Sequence, residues 1–356
     1  MKFKSLFIFC AIFMVASCNK SDKIKIGVIA PLTGSVATYG QDLKKGIDIA
    51  FDEDPNFKAI YQDSKANAVT GVNAMKQLHD ADKINFFIGD ATTTVTLAIG
   101  KEAQNNKSIL LVPIATGNDI IKLGDFVFMN APRNEKQSIA AENLIAKKLK
   151  AIKIGVIYQQ IPYGVDLKTK FIEELKKDNI TPLLDEGFQD AKTGLRNIIL
   201  KAKQLGIDAV FMPMEYESAA LLLKQSMEQN FKPSFVGTDG AFSEKLFELA
   251  GNACEGFYFT MFPIDKSSEL FKSFSLKFNQ KYNSEPNVFS CYGYETAKNL
   301  ITAVKGAGTN TEKVKNYFKS NEFNSFTGKL KFDENGEVIR DYGIYIVTEQ
   351  KFVIFQ

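Results

Sequence analysis

Three consecutive threonines, Thr92-Thr93-Thr94, follow the apolar run Phe86-Phe87-Ile88 and the link Gly89-Asp90-Ala91. That run has the length of a buried parallel strand, and the residues after it, Val95 to Asn105, have helical spacing. Hydroxyls and free backbone N–H groups therefore collect beside the positive end of a helix dipole, where anions bind. A second run, Ile109-Leu110-Leu111-Val112, ends in Pro113-Ile114-Ala115-Thr116-Gly117, adding a carbonyl, a hydroxyl and a glycine turn. With the two strands as neighbours, this pair of loops suits a small carboxylate. Hydroxyl caps are common, so the threonines serve equally well as a plain helix cap.

Further polar and aromatic residues fall in loops after predicted strands: Tyr39, Tyr163, Glu215, Tyr216 and Asp239. In an open α/β sheet such loops face the ligand crevice. Each tyrosine also reads as a half-buried aromatic with its hydroxyl in water. Asp239, in Gly237-Thr238-Asp239-Gly240, alternatively caps a helix over Phe242 to Ala250.

Catalytic readings lack their parts. The first βα turn, Ala30 to Gly40, has neither G-x-G-x-x-G nor a P-loop, and no G-x-S-x-G follows a strand. The sole histidine, His79, sits on a helix pattern before a strand, so a zinc site or a Ser/His/Asp triad has almost nothing to be built from. His79 reads as a surface helix residue, and neither metal nor cofactor is expected.

At 356 residues the chain exceeds what one compact core usually holds, which makes two domains the expectation. From Lys23 strands and helices alternate. The first series has strands at Ile24–Ala30, Ala59–Tyr61, Phe86–Ile88, Ile109–Val112 and Phe126–Met129, then a helix over Glu135–Leu149. A second runs from Ile154 to Met261. Two βα series of similar length predict two doubly wound parallel sheets, because right-handed crossovers between parallel strands need the intervening helices. The remaining helices, at 268–281, 289–305 and 312–319, and the strands ending at Phe355 are expected to pack back on those sheets. Chain crossings near Asn130, Met261 and residue 326 predict a three-strand hinge. It joins a lobe of residues 23–130 plus 262–326 to a lobe of 131–261 plus 327–356.

The first residues stand apart from this globule. Lys2 and Lys4 precede an apolar run from Leu6 to Val15 and the segment Val15-Ala16-Ser17-Cys18. A charged start, a run too short to span a bilayer comfortably and a small-small-Cys end make residues 1–18 a signal peptide with a lipobox, Cys18 being the lipidated residue. An ordinary signal peptide or a retained anchor is the alternative. Either way the mature chain works outside the cytoplasmic membrane, in the periplasm or at the cell surface. Cys254 and Cys291 then remain as ordinary thiols, read as two buried free thiols in preference to a disulfide. The net charge of +3 is spread along Lys-rich helices without a basic tract, so nucleic acid is not implied.

Taken in order, PLTGSVATYG, IGDATTTVT, VPIATGND, YGVDL, FVGTDG and FDENGE resemble segments of the amino-acid-binding proteins of branched-chain amino-acid ABC transporters, of the type I periplasmic binding protein family. The resemblance spans essentially the whole mature chain. It implies two lobes joined by three crossovers that close on a ligand and deliver it to a membrane permease, the protein being a monomer and not an enzyme. Thr93 would bind the ligand carboxylate, with Ala91 beside it, and Ile114, Ala115 and Thr116 would supply a carbonyl and a hydroxyl. Asp239 would pair with the ligand ammonium. Tyr39, Tyr163 and Phe289 would line the pocket, Tyr163 at the mouth of the second lobe. The family's aromatic after the third strand of the second lobe is displaced: the chain reads Pro213-Met214-Glu215-Tyr216, so Tyr216 matches with a one-place shift and Glu215 faces the cleft. A glutamate there would favour a polar or basic ligand over leucine or isoleucine. Related readings are a protein for urea, short amides or aromatic acids, or a ligand-sensing receptor domain; an envelope enzyme would need a nucleophile-base pair or a cofactor loop.

Overall fold

The computed structural model describes residues 23–355, so Cys18 and the predicted signal segment lie outside the described residues. The first strands form one five-stranded sheet, in the order β2-β1-β3-β4-β5. They are β1 (Ile24–Ala30), β2 (Phe57–Asp63), β3 (Phe86–Gly89), β4 (Ile109–Val112) and β5 (Val127–Met129), and every pairing among them is parallel. Three crossover helices make this possible: α1 (Ala37–Asp52), α2 (Ala68–Asp80) and α3 (Thr93–Asn105). β3 and β4 are buried at every position and are direct neighbours, with Phe86 opposite Ile109, so the loops after them sit side by side.

After α4 (Asn134–Glu142) the second series supplies β6 (Ile154–Gln159), α5 (Pro162–Lys177), β7 (Leu184–Phe188), α6 (Ala191–Leu205), β8 (Ala209–Phe211), α7 (Tyr216–Glu228), β9 (Ser234–Gly237), α8 (Lys245–Ala250) and β10 (Tyr258–Met261). The chain then runs through α9 (Glu269–Tyr282), α10 (Val288–Ala307) and α11 (Thr311–Ser320) to β11 (Phe323–Ser325), β12 (Gly328–Leu330), β13 (Gly343–Thr348) and β14 (Lys351–Ile354). The second sheet has the order β14-β13-β10-β9-β8-β6-β7. Its β6 to β10 core is parallel, whereas the β13-β14 hairpin adds on antiparallel against β10. The sheet is therefore mixed at one edge, a geometry open to strands joined by a short turn.

Two local expectations are corrected. The helix expected over Glu135–Leu149 changes at Asn143 into a wider π-helical segment, Asn143–Lys148, in which Leu149 N–H bonds to the carbonyl of Leu144 at 2.8 Å. The helix expected from Phe242 starts at Lys245, because Phe242 is extended and the Ser243 hydroxyl accepts from Lys245 N–H at 3.2 Å. β11 and β12 pair with each other and join neither main sheet, and Phe323 and Leu330 share the buried core with Leu111 and Phe128 of the first sheet, as expected of elements that pack back on it. Cys254 and Cys291 are buried and free, as expected.

Long α10 closes over the first sheet against α1. Gly46 permits that approach: a β-carbon there would lie 1.8 Å from the carbonyl oxygen of Ser290. The pairing carries Phe289, near the start of α10, to the ring of Tyr39 in α1, 5.4 Å away and edge-on. Among the described residues no helix is long and apolar enough to cross a membrane.

Candidate ligand-binding site

The strand ends of the two sheets meet around a cavity lined by residues of both. α3 supplies its anionic-ligand side. Asp90, just before it, is fully buried; its carboxylate accepts from the Ser64 hydroxyl at 2.6 Å and from Thr92 N–H and hydroxyl at 2.8 and 2.9 Å. Burial pushes the Asp90 carboxyl up to about 6 against these hydrogen bonds, which favour the ionised form. The loop so fixed separates two roles among the threonines. Thr92 caps α3, its Oγ1 accepting from Val95 N–H at 3.4 Å. Thr93 is left facing the cavity, buried, its hydroxyl without a partner among the described residues.

Thr116, in the loop after β4, is the second such hydroxyl, 1% exposed and also unpartnered. The glycine after it matters to both. A β-carbon on Gly117 would lie 2.4 Å from Thr93 Cγ2, so only glycine lets the two loops close together. Two orphan hydroxyls at the N-terminus of a helix form an acceptor-seeking surface that water or a carboxylate would satisfy.

From the second sheet comes the opposite character. Asp239 follows β9 and is 5% exposed. Its Oδ1 accepts from Gln137 Nε2 at 2.6 Å and from the Tyr163 hydroxyl at 2.7 Å, and no described side chain donates to Oδ2. The Tyr163 oxygen is itself held by the Thr238 hydroxyl at 2.7 Å and by Gly240 N–H at 2.9 Å. Burial drives the Asp239 carboxyl up to about 6, with Gln137 and Tyr163 opposing the shift. This side chain caps no helix: the nearest α-helix begins six residues on, at Lys245. Tyr163 is pushed well above its ordinary value by burial and then by the Asp239 charge, so it stays a donor.

Tyr39 bridges the two sides. Its hydroxyl donates to the carbonyl of Gly240 and accepts from Tyr216 N–H at 3.4 Å. A second bridge lies farther along the cleft: Asp166 of α5 accepts from Asn118 N–H at 2.8 Å, Asn118 Nδ2 at 2.9 Å and Asn134 Nδ2 at 2.8 Å.

The structure brings ten of the expected residues to this cavity: Tyr39, Ala91, Thr93, Ile114, Ala115, Thr116, Tyr163, Glu215, Asp239 and Phe289. Tyr216 is not among its lining residues; the ring is buried behind the wall and its hydroxyl donates to the Ser35 carbonyl at 2.6 Å. Tyr163, which the resemblance puts at the mouth of the second lobe, is buried and donates to Asp239. Thr92, Thr94, Ile161 and Gly240 also line the cavity. Three of these flank residues already singled out. Gln137 had no sequence signal, since nothing in an amide on an amphipathic helix marks it as the partner of a distant aspartate.

The lining offers hydroxyls, two carboxyls and aromatic and aliphatic walls. No histidine, thiol or lysine lines the cavity, and among the described residues no cluster of metal-binding side chains occurs.

Comparison with known proteins supplies the context. Residues 23–351 match the sequence profile described as periplasmic binding protein. The Leu/Ile/Val-binding protein homolog 2 of Brucella abortus is 27% identical over 353 residues, covering 94% of this chain and 93% of that one. Among solved structures, the leucine binding protein LivK of Thermotoga maritima superposes with a TM-score of 0.89 at 26% identity, covering 94% of this chain and 98% of that one. The branched-chain amino acid transporter substrate binding protein LivJ of Streptococcus pneumoniae, solved with isoleucine, gives 0.83 at 25% identity, covering 94% and 99%.

Proposed function

The chain belongs to the periplasmic binding protein family, and from that premise we propose that it is the extracytoplasmic solute-binding component of an ABC importer, holding a free amino acid between two lobes and passing it to the permease. The observation that carries this reading is the division of one buried cavity into two ends, with two unpartnered hydroxyls at a helix N-terminus on one side and a carboxylate on the other. A zwitterion has both complements on adjacent atoms. Burying its charges is costly unless each is hydrogen-bonded or paired, and these groups do that. Urea or an aromatic acid would leave Asp239 without a cation.

Residues 23–130 with 262–326 act as one lobe and 131–261 with 327–356 as the other. The carboxylate end attaches through Thr93 and Thr116 to the first and the ammonium end through Asp239 to the second, so binding favours closure. Tyr39 and Asp166 hydrogen-bond across the cleft and support the closed form. The protein acts as a monomer, without a cofactor and without catalysing a reaction. Thermal-shift screening against single amino acids tests the reading: ~100-fold excess over Kd should add about 2.7 kcal/mol of stability. No stabilisation by any amino acid would sink it.

Affinity should depend on pH with a definite sign. Asp239 is raised to about 6 without ligand, whereas an adjacent ammonium requires the ionised form. Binding is therefore full above that value and is lost as pH falls through it, because protonated Asp239 must first release its proton. Between pH 7 and pH 5, Kd should rise roughly tenfold in calorimetry, and Asp239→Asn should flatten the profile. A wild-type Kd that does not change over this range would contradict the ammonium role.

A diacyl group on Cys18 would anchor the mature protein to the membrane. Cys18→Ser, with the signal still cleaved, should move it to the soluble fraction, since the acyl chains supply the membrane affinity. Unchanged partitioning would rule the anchor out.

A further inference from the structure

The cavity contains a second acid that the zwitterion does not use. Glu215 precedes α7 and lines the cavity with Tyr39, Phe289, Ile161 and Ile114. Gln159 holds it from behind: Glu215 N–H donates to Gln159 Oε1 at 3.0 Å, and Gln159 Nε2 donates to Glu215 Oε2 at 3.3 Å. No other described side chain hydrogen-bonds this carboxyl, and it takes part in none of the described ion pairs, so Oε1 has no protein donor. Asp239 is separately engaged by Gln137 and Tyr163, which makes the two acids distinct stations on the cavity wall.

An aliphatic ligand side chain packed against Glu215 would exclude water from an oxygen that has no protein donor. A hydroxyl, amide or ammonium would donate to that oxygen when the carboxyl is ionised. Burial pushes the Glu215 carboxyl up, with the Gln159 hydrogen bond opposing and the Glu217 charge adding to the shift.

Resting on the amino-acid reading above, we infer that Glu215 determines specificity and selects amino acids whose side chain ends in a hydrogen-bond donor over branched aliphatic ones of equal size. The aromatic and aliphatic walls take the stem of such a side chain, and Glu215 takes its end. This sets the chain apart from relatives named for leucine, isoleucine and valine.

Near-isosteric pairs test it. In calorimetry the wild type should bind threonine over valine and asparagine over leucine by roughly 5- to 150-fold, the range for leaving one buried polar group unpaired. Glu215→Leu should abolish or invert both ratios, and Glu215→Gln, which keeps shape and an acceptor, should retain part of them; melting curves check that each variant is folded. Valine and leucine binding the wild type as tightly as their polar partners, or ratios unchanged in Glu215→Leu, would overturn the inference. If every amino acid binds without preference, only this inference falls; if none binds, the amino-acid reading falls with it.

Discussion

Replacing Asp239 by alanine is expected to weaken binding of the cognate amino acid by about 2–5 kcal/mol, roughly thirtyfold to several-thousandfold. The size follows from burial. Asp239 is 5% exposed, its Oδ1 is filled by Gln137 and Tyr163, and no described side chain donates to Oδ2, where a ligand ammonium would be accepted. Truncation would leave that ammonium in a water-poor cavity with no counter-charge, and the Gln137 and Tyr163 donors would lose their acceptor as well. Thr93→Ala removes one hydrogen bond to a charged group and should cost less, roughly 1.5–3 kcal/mol. Deaminated analogues separate ligand pairing from general damage: they should bind the wild type poorly and lose little further affinity in Asp239→Ala. Calorimetry on both proteins reads all of these values. If Asp239→Ala binds the cognate ligand as tightly as wild type, the zwitterion model is wrong.

Arg340→Ala is expected to destabilise the fold by about 3–5 kcal/mol, the range for breaking a buried ion pair by removing one partner. Arg340 Nη2 lies 2.9 Å from Glu295 Oε1, with side-chain exposures of 5% and 0%. The same glutamate accepts from Asn130 Nδ2 at 3.0 Å and from Phe326 N–H at 3.0 Å, while Arg340 also donates to Ser325 Oγ at 2.9 Å and covers the Tyr292 ring. One carboxylate thus ties together chain near residues 130, 326 and 340, including two of the crossings predicted to form the hinge. Without the guanidinium, Glu295 stays buried with its charge uncompensated. Denaturant unfolding should show the loss as a lower midpoint. For contrast, Lys122→Ala breaks the pair with Asp119, whose members are 74% and 67% exposed, and should change stability by no more than about 1 kcal/mol. A comparable shift in both variants would mean that burial of the Glu295 pair adds nothing.

Strand and helix periodicity was legible in the chain because it is local. β1 and β4 lie where the apolar runs placed them, and the hydroxyl segments after β3 and β4 mark strand ends in any parallel sheet. Residue types alone also marked the Thr92–Thr94 hydroxyls, Thr116 and Asp239 as groups suited to a small charged ligand, and the missing nucleotide loop and nucleophile elbow left two enzyme readings without their main support.

What depended on distance was not legible. Residue types left Thr92 and Thr93 interchangeable, and it was the resemblance that chose Thr93; the Asp90 carboxylate, buried and bonded to Ser64 and Thr92, turns Thr92 into the cap and frees Thr93 for the cavity. Tyr216 had the residue type of a pocket aromatic, but the path of the chain into α7 points its hydroxyl at Ser35 and leaves Glu215 on the wall. Gln137 meets Asp239, and Asn130, Phe326 and Arg340 meet Glu295, across separations at which no periodicity operates. The sequence by itself determined the alternating elements, the two-sheet plan and the kinds of group at the strand ends, because those follow from backbone geometry and hydrophobic period within a few residues. Tertiary structure alone decided which polar atoms are satisfied by protein and which are left for a ligand, because hydrogen-bond pairing in a buried site is a property of the packed whole.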